Sequence, residues 1–431
     1  MPLTLFPIFV FLPPSMTTIQ RHILSNGLRI IVHEDHSTPL AACNVAYNVG
    51  SRDEHPDCTG LAHLMEHFMF TGSVNVPNFD QALQKVGAVN NAYTSQDITN
   101  YYILLPSNNL ETAFWVESDR MLQPSFKQES LDIQKQVVME EFKESYLNRP
   151  YGDVLMLFNP LVYKVHPYQW LPIGKSVETI ASVGMDTIRD FHRRFYHPGN
   201  AVLVVAGDVR AEEVFVLAEK WFDDIPAGPQ KPKNYPKEQP QTAARRLEAR
   251  RGVSSDLLLK GWRMCDRLHP DFYALDLLSD LFGTGQSSYL YRTFVTERHL
   301  FTDISAAVTG TADEGVFQIS GRPVEGVPIE EADKALSDYL YGFQYDGHLE
   351  HDLQKVQNSA ESILLYNDIK IDDRATNLAV WETLEHVERF LDERQRYFDV
   401  TVEQMRRLTS ALFTEEQSCT LLYKSNEIMR G

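Results

Sequence analysis

Cysteine is scarce in this 431-residue chain: Cys43, Cys58, Cys265 and Cys419 are widely spaced and form no CxxC pair. That argues against a disulfide framework and a cysteine zinc site, and it fits a reducing compartment. Positive charge is also short, since 40 Lys and Arg face 59 Asp and Glu for a formal net charge of −19. A general nucleic-acid binder needs a basic face, so that class is disfavoured, while basic peptides remain compatible partners. Long apolar runs are missing too. The run from Leu3 to Leu12 is interrupted by Pro7 and is too short to span a bilayer as a helix. No Lys or Arg precedes it, and it lacks the small-residue cleavage site of a good signal peptide. Residues 1–15 are therefore set apart as a leader, either a mis-called start ahead of Met16 or a disordered extension. The expected compartment is the cytoplasm, with the periplasm as the alternative if the apolar run is an export signal.

What is present describes a folded protein of more than one domain. Apolar side chains make up 43% of the chain and charged ones 23%, ample for substantial cores. HILSNGLRIIVHE reads as two strands around the turn at Ser25–Asn26–Gly27. Gly60–Phe70 reads as a helix with Leu61, Leu64, Met65 and Phe68 on its apolar stripe. A proline-rich stretch without apolar periodicity, residues 226–246, reads as a linker. It separates an N-terminal domain, 16–225, from a C-terminal domain, 247–431. The two halves echo one another. DEHPDCTGLAHLMEHFMFTG (Asp53–Gly72) is matched by DRLHPDFYALDLLSDLFGTG (Asp266–Gly285). The helix–turn–strand of Phe191–Asp208 is matched by Arg406–Ser425. The expectation is an α+β fold of two homologous domains, each a mainly antiparallel sheet packed with helices.

The chemically informative segment is HLMEH, His63–His67, inside the predicted helix. Residues four apart share a helical face, so both imidazoles can reach one metal ion. Glu66 lies beside His67 and can approach a metal-bound water without taking a ligand place. This is the HxxEH order of the inverzincins. A catalytic zinc usually has three protein ligands and an open position, so an acidic third ligand is needed from another element. QKQVVMEEFKESYLNRPYG (Gln134–Gly152) offers Glu140, Glu141 and Glu144, and periodicity alone does not choose between Glu141 and Glu144.

The chain resembles the insulinase/pitrilysin (M16) family of zinc metallopeptidases, in particular its short two-domain bacterial branch similar to the mitochondrial processing peptidase beta subunit. The resemblance rests, in order, on HLMEH, NAYTSQDITNYY, QKQVVMEEFKESYLNRP, FYHPGNAVLVVAGD and GTGQSSYLYRTF, and it covers Thr17 to Arg430. It implies one zinc per chain held by His63, His67 and Glu141, with Glu66 as general base. The family's segment ER-x-x-V-x-x-E ends on Glu141 and begins on Gln134, a departure at a position that is acidic in many members. The resemblance also places an extended substrate against Asn91, Ala92 and Tyr93, by addition of a strand to a sheet edge. A second departure falls in the C-terminal half, where the Arg and Tyr of the family pattern R-E-x-x-G-L-x-Y map to Val295 and Thr302, and its glycine to His299. Arg292 and Arg298 are near but out of register.

The expected function is that of a zinc-dependent endopeptidase acting on extended or unfolded peptides, as the catalytic subunit of a dimer that closes like a clamshell. The expected partner is a homologous subunit carrying the missing Arg/Tyr pair, or else a second copy of the chain. The alternative is a non-catalytic structural or accessory member of the family.

Overall fold

The computed structural model describes residues 19–229, 233–345 and 347–426. The leader, residues 1–15, lies outside them. Two sheets carry the fold. The first is built from β1 (Gln20–Ile23), β2 (Arg29–Glu34), β3 (Leu40–Tyr47), β4 (Val89–Thr94), β5 (Thr99–Pro106) and β6 (Ala201–Gly207), in the order β1-β2-β6-β3-β5-β4. The second contains β7 (Arg245–Arg251), β8 (Leu257–Arg263), β9 (Phe301–Val308), β10 (Val316–Pro323) and β11 (Cys419–Ser425), in the order β7-β11-β8-β10-β9.

The duplication read from the sequence appears in the pairing. Each sheet has one parallel pair, β2 with β6 and β7 with β11, and its other pairs are antiparallel. Lining up those parallel pairs matches β6-β3-β5-β4 strand for strand with β11-β8-β10-β9. Among the described strands only β1 lacks a counterpart. Central strands such as β6 (AVLVVAG) are buried throughout, as expected of strands covered on both faces. The matched helices also correspond. The histidine helix, Leu61–Phe68, has its counterpart in Phe272–Gly283. There Leu277, Leu278 and Leu281 take the places of Leu64, Met65 and Phe68 and are fully buried, while Asp276 and Asp280 stand where the first copy has His63 and His67, so the second copy keeps the apolar face and lacks the histidines.

The two halves are packed against each other. A helix of the second half, Ile371–Leu384, lies on the far face of the first sheet. Its Ile371, Ala375, Leu378 and Ala379 form one buried cluster with Ile31, Ala42, Ala46, Val202, Val204 and Ala206. Arg374, 3% exposed, donates to Asp35 at 2.7 Å and to Asp368 at 2.7 Å. The proline-rich segment between the halves is tied down from residue 233 onward. Lys233 Nζ donates to Asn48 Oδ1 and Asp53 Oδ2 at 3.0 Å, and Tyr235 donates to Asp53 at 2.7 Å. Glu238 accepts the backbone N–H groups of Lys164, Val165 and His166 at 2.6–2.8 Å. No helix among the described residues is long and apolar enough to cross a membrane.

Candidate metal centre

The histidine helix is started by a carboxyl side chain from the preceding turn. Gly60, its N-cap, sits at φ 87°, where an added Cβ would lie 2.8 Å from Ile173 O. The buried Glu54 carboxylate accepts Gly60 N at 3.0 Å and Ala62 N at 2.8 Å. Two of the unpaired donors of the first turn are thereby satisfied, although burial pushes the Glu54 pKa well up against the pull of these two hydrogen bonds. Leu61, Ala62, Leu64, Met65 and Phe68 anchor the opposite face in the core, so His63 and His67 project together from a fixed helix.

The helix Gln128–Phe142 packs beside it and brings the third group. Glu141 Oε2 lies 3.8 Å from His63 Nε2 and 3.5 Å from His67 Nε2. The three potential ligand atoms all fall within 4.8 Å of one another. Tetrahedral zinc ligands at about 2.0–2.1 Å stand roughly 3.3–3.4 Å apart, so this separation suits one small divalent ion with slight contraction. The donor set, two imidazoles and a carboxylate, is also of the kind zinc takes. Glu144 falls one turn further on, in the wide turn Lys143–Asn148, and is exposed outside this cluster. Gln134, seven residues before Glu141, also faces His67, where its side chain favours the charged imidazole.

The charges of the cluster are coupled. Burial pushes the His63 pKa down to about 4, which keeps that imidazole neutral and able to bind a cation. For His67 burial opposes the charged form, but the hydrogen bond and charge of Glu141 outweigh it and raise the pKa. The same hydrogen bond, with the two imidazoles nearby, holds the Glu141 carboxyl below its usual range. Glu66 is 8% exposed, and burial raises its pKa. Its carboxylate accepts the hydroxyl of Thr94, the last residue of β4.

β4 closes one side of the first sheet and pairs only with β5. Asn91, Ala92 and Tyr93 thus lie on an edge strand running toward Glu66. Thr94 was not singled out by sequence reasoning, because a threonine acquires this role only through strand register, Thr94 against Thr99. In the second half Val295 packs against the apolar core, and Thr302 bonds Arg322 O at 3.2 Å. Arg298 stacks over Phe294 and Tyr339 at 5.3 and 5.9 Å, and Arg292 over Tyr289 at 5.5 Å.

Residues 29–155 match the family model Insulinase (Peptidase family M16), and residues 182–360 match Peptidase M16 inactive domain. A zinc protease of Helicobacter pylori, PqqE, is 30% identical over 407 residues, covering 93% of this chain and 91% of the relative. The chain belongs to the M16 (insulinase) family of zinc metallopeptidases. The crystal structure of a protease from Helicobacter pylori superposes with a TM-score of 0.88 at 29% identity, over 95% of this chain and all (100%) of that one. The periplasmic protease PqqL from Escherichia coli shares the fold, with a TM-score of 0.77 at 18% identity. That match takes 97% of this M16 chain but 49% of PqqL. The duplicated α+β architecture of this chain is therefore the M16 architecture, and its half-buried His/His/Glu cluster sits in the half matched by the insulinase model.

Proposed function

We propose that this M16 chain is a zinc endopeptidase that hydrolyses extended or unfolded peptides, with His63, His67 and Glu141 as metal ligands and Glu66 as general base. The carrying observation is the convergence of three ligand atoms from two helices beside a buried glutamate that takes no ligand place. Zinc held there supplies Lewis acidity that makes a water nucleophilic at neutral pH and polarises a carbonyl. Glu66 removes the proton of the attacking water and delivers it to the leaving amine. The Thr94 hydroxyl holds the Glu66 carboxylate in place from the end of β4. The free edge of β4, at Asn91–Tyr93, hydrogen-bonds the backbone of an extended peptide, which favours unfolded segments over any one sequence.

The substrate cleft is completed by a second M16 chain. The supports are Val295 and Thr302, which offer neither a cation nor a phenol, and the match of this chain to half of a longer fold. A homologous subunit carrying the Arg/Tyr pair, as in the processing-peptidase-like branch, is the preferred partner. A homodimer is the competing assembly.

Elemental analysis with a quenched-peptide assay tests the reading. The purified chain should hold one zinc per chain, and chelation should abolish hydrolysis by it or by its complex until zinc is restored. Hydrolysis that survives complete removal of the metal would overturn it.

A further inference from the structure

We propose that Arg52 and Asp313 are positioning residues for the substrate edge strand: an ionic clasp between the two halves holds β4 in line with Glu66. The proposal rests on the peptidase reading for its functional meaning, but not for its geometry.

The clasp joins the tips of two corresponding hairpins. β4–β5 turns at residues 95–98 in the first half, and β9–β10 turns at residues 309–315 in the second. Arg52, 8% exposed, stands between them. Its guanidinium lies 3.0 Å from Asp97 Oδ1 and 3.1 Å from Asp313 Oδ2. Asp97 also accepts the Tyr168 hydroxyl and the backbone N–H of Ala312, the latter at 3.0 Å. Asp313 N donates to the Tyr168 hydroxyl at 3.1 Å, and His166 Nε2 lies 3.5 Å from its carboxylate. Tyr235 covers the guanidinium at 4.9 Å.

The first half is already fitted closely around this turn. Ser51 N donates to Ser95 O at 3.1 Å, and Arg52 N to Gln96 O at 3.0 Å. A Cβ on Gly50 would stand 2.4 Å from Gln96 O. Asp97 is three residues from Thr94, whose hydroxyl reaches Glu66. A continuous set of contacts therefore runs from the second-half tip through Arg52, Asp97 and the turn to the base. An edge strand has neighbours on one side only and tends to fray. Fixing its end before substrate arrives reduces the ordering cost of adding a peptide strand.

Hydrogen exchange and steady-state kinetics test the clasp on the full chain, with its partner if one is needed for turnover. The variants are Asp313→Asn and Asp313→Ala, with Asp313→Glu as the conservative rescue. Glu314→Gln is the control, since Glu314 pairs with Arg263 of its own half at 3.1 Å. Both clasp-breaking variants should retain zinc and raise amide exchange across 89–97. KM for a long quenched peptide should rise by roughly 3–10-fold, on the order of one ordinary hydrogen bond, with little change in kcat. Asp313→Glu should restore both readouts, and Glu314→Gln should alter neither. Unchanged exchange at 89–97 in both clasp-breaking variants, or an equal rise in Glu314→Gln, would overturn the clasp. If the chain hydrolyses no peptide at all, the peptidase reading fails separately and exchange alone decides the clasp.

Discussion

At the scale of single residues, helix packing brings Glu141, and not Glu144, to the two histidines. Both are acidic and near the end of one helix, but Glu141 shares a face with Gln134 and meets the two histidines. Replacing Glu141 with Gln should weaken zinc binding strongly, because one ligand and its charge are lost, whereas Glu144→Gln should leave affinity unchanged. Titration against a competing chelator reads both. Equal affinity in wild type and Glu141→Gln would contradict the ligand assignment. The HLMEH pair was legible because four-residue spacing fixes two side chains on one helical face whatever the rest of the chain does. Which distant carboxylate joins them depends on a helix crossing. Spacing alone left two candidates, and the family resemblance chose Glu141. His299 shows a similar limit. The structure places it at φ 52°, left-handed backbone at a position where the family pattern has glycine. Its ring contacts Val295 O at 3.0 Å and closes the turn. A β-branched residue there would meet the steric penalty without that contact. His299→Val should therefore lower stability by about 1–2 kcal/mol in denaturant unfolding.

At the scale of elements, the histidine helix is two turns long and has little intrinsic stability. Its position depends on the Glu54 cap and on the apolar face beneath it. Glu54→Ala leaves the N–H groups of Gly60 and Ala62 buried without their acceptor, at a cost of about 1–3 kcal/mol. A fall in melting temperature together with weaker zinc binding is expected, measured with and without metal. Unchanged zinc affinity would show that the ligand pair is held by packing alone. The strands around Ser25–Asn26–Gly27 and the helix within Gly60–Phe70 were readable from period and turn chemistry. The docking of Ile371–Leu384 on the first sheet was not readable. Arg374, Ala375, Leu378, Ala379, Trp381 and Glu382 are buried on several sides of that helix, so no single stripe identifies its partner.

At the scale of the molecule, the internal repeat predicted two similar halves, and the matching strand orders show how they are related. Their union is partly ionic, and this makes it sensitive to acid. The Asp35 carboxyl is desolvated, which raises its pKa, but hydrogen bonds from Ser37 and Arg374 outweigh this and hold it at about 2 against an ordinary 3.8. The neighbouring charged or titratable groups are Arg374, Asp368 and His33. A depressed folded-state pKa gives stabilisation that is present above the unfolded value and lost as pH falls through the folded one. Protection of the amides in 371–384, that is exchange corrected for its intrinsic pH dependence, should therefore stay constant down to about pH 4 and fall toward pH 2, while Asp35→Asn should remove that part of the dependence. An identical profile in the variant would assign the acid sensitivity elsewhere.

The assembly leaves a mark on rate. If the cleft needs a second M16 chain, this chain alone should be a weak peptidase, and its turnover should rise and saturate with a homologous subunit carrying the Arg/Tyr pair. A homo-oligomer working at a typical rate of about 1–10³ s⁻¹, with no homologous chain co-purifying, would remove the need for that partner. The most direct test of the central claim works in either assembly: zinc content and quenched-peptide hydrolysis measured side by side for wild type and Glu66→Gln. The amide is nearly the same shape but cannot take the water's proton. The variant should keep one zinc per chain and its fold while hydrolysis drops by about 10²–10⁴-fold. Wild-type turnover in zinc-loaded Glu66→Gln protein would contradict the account.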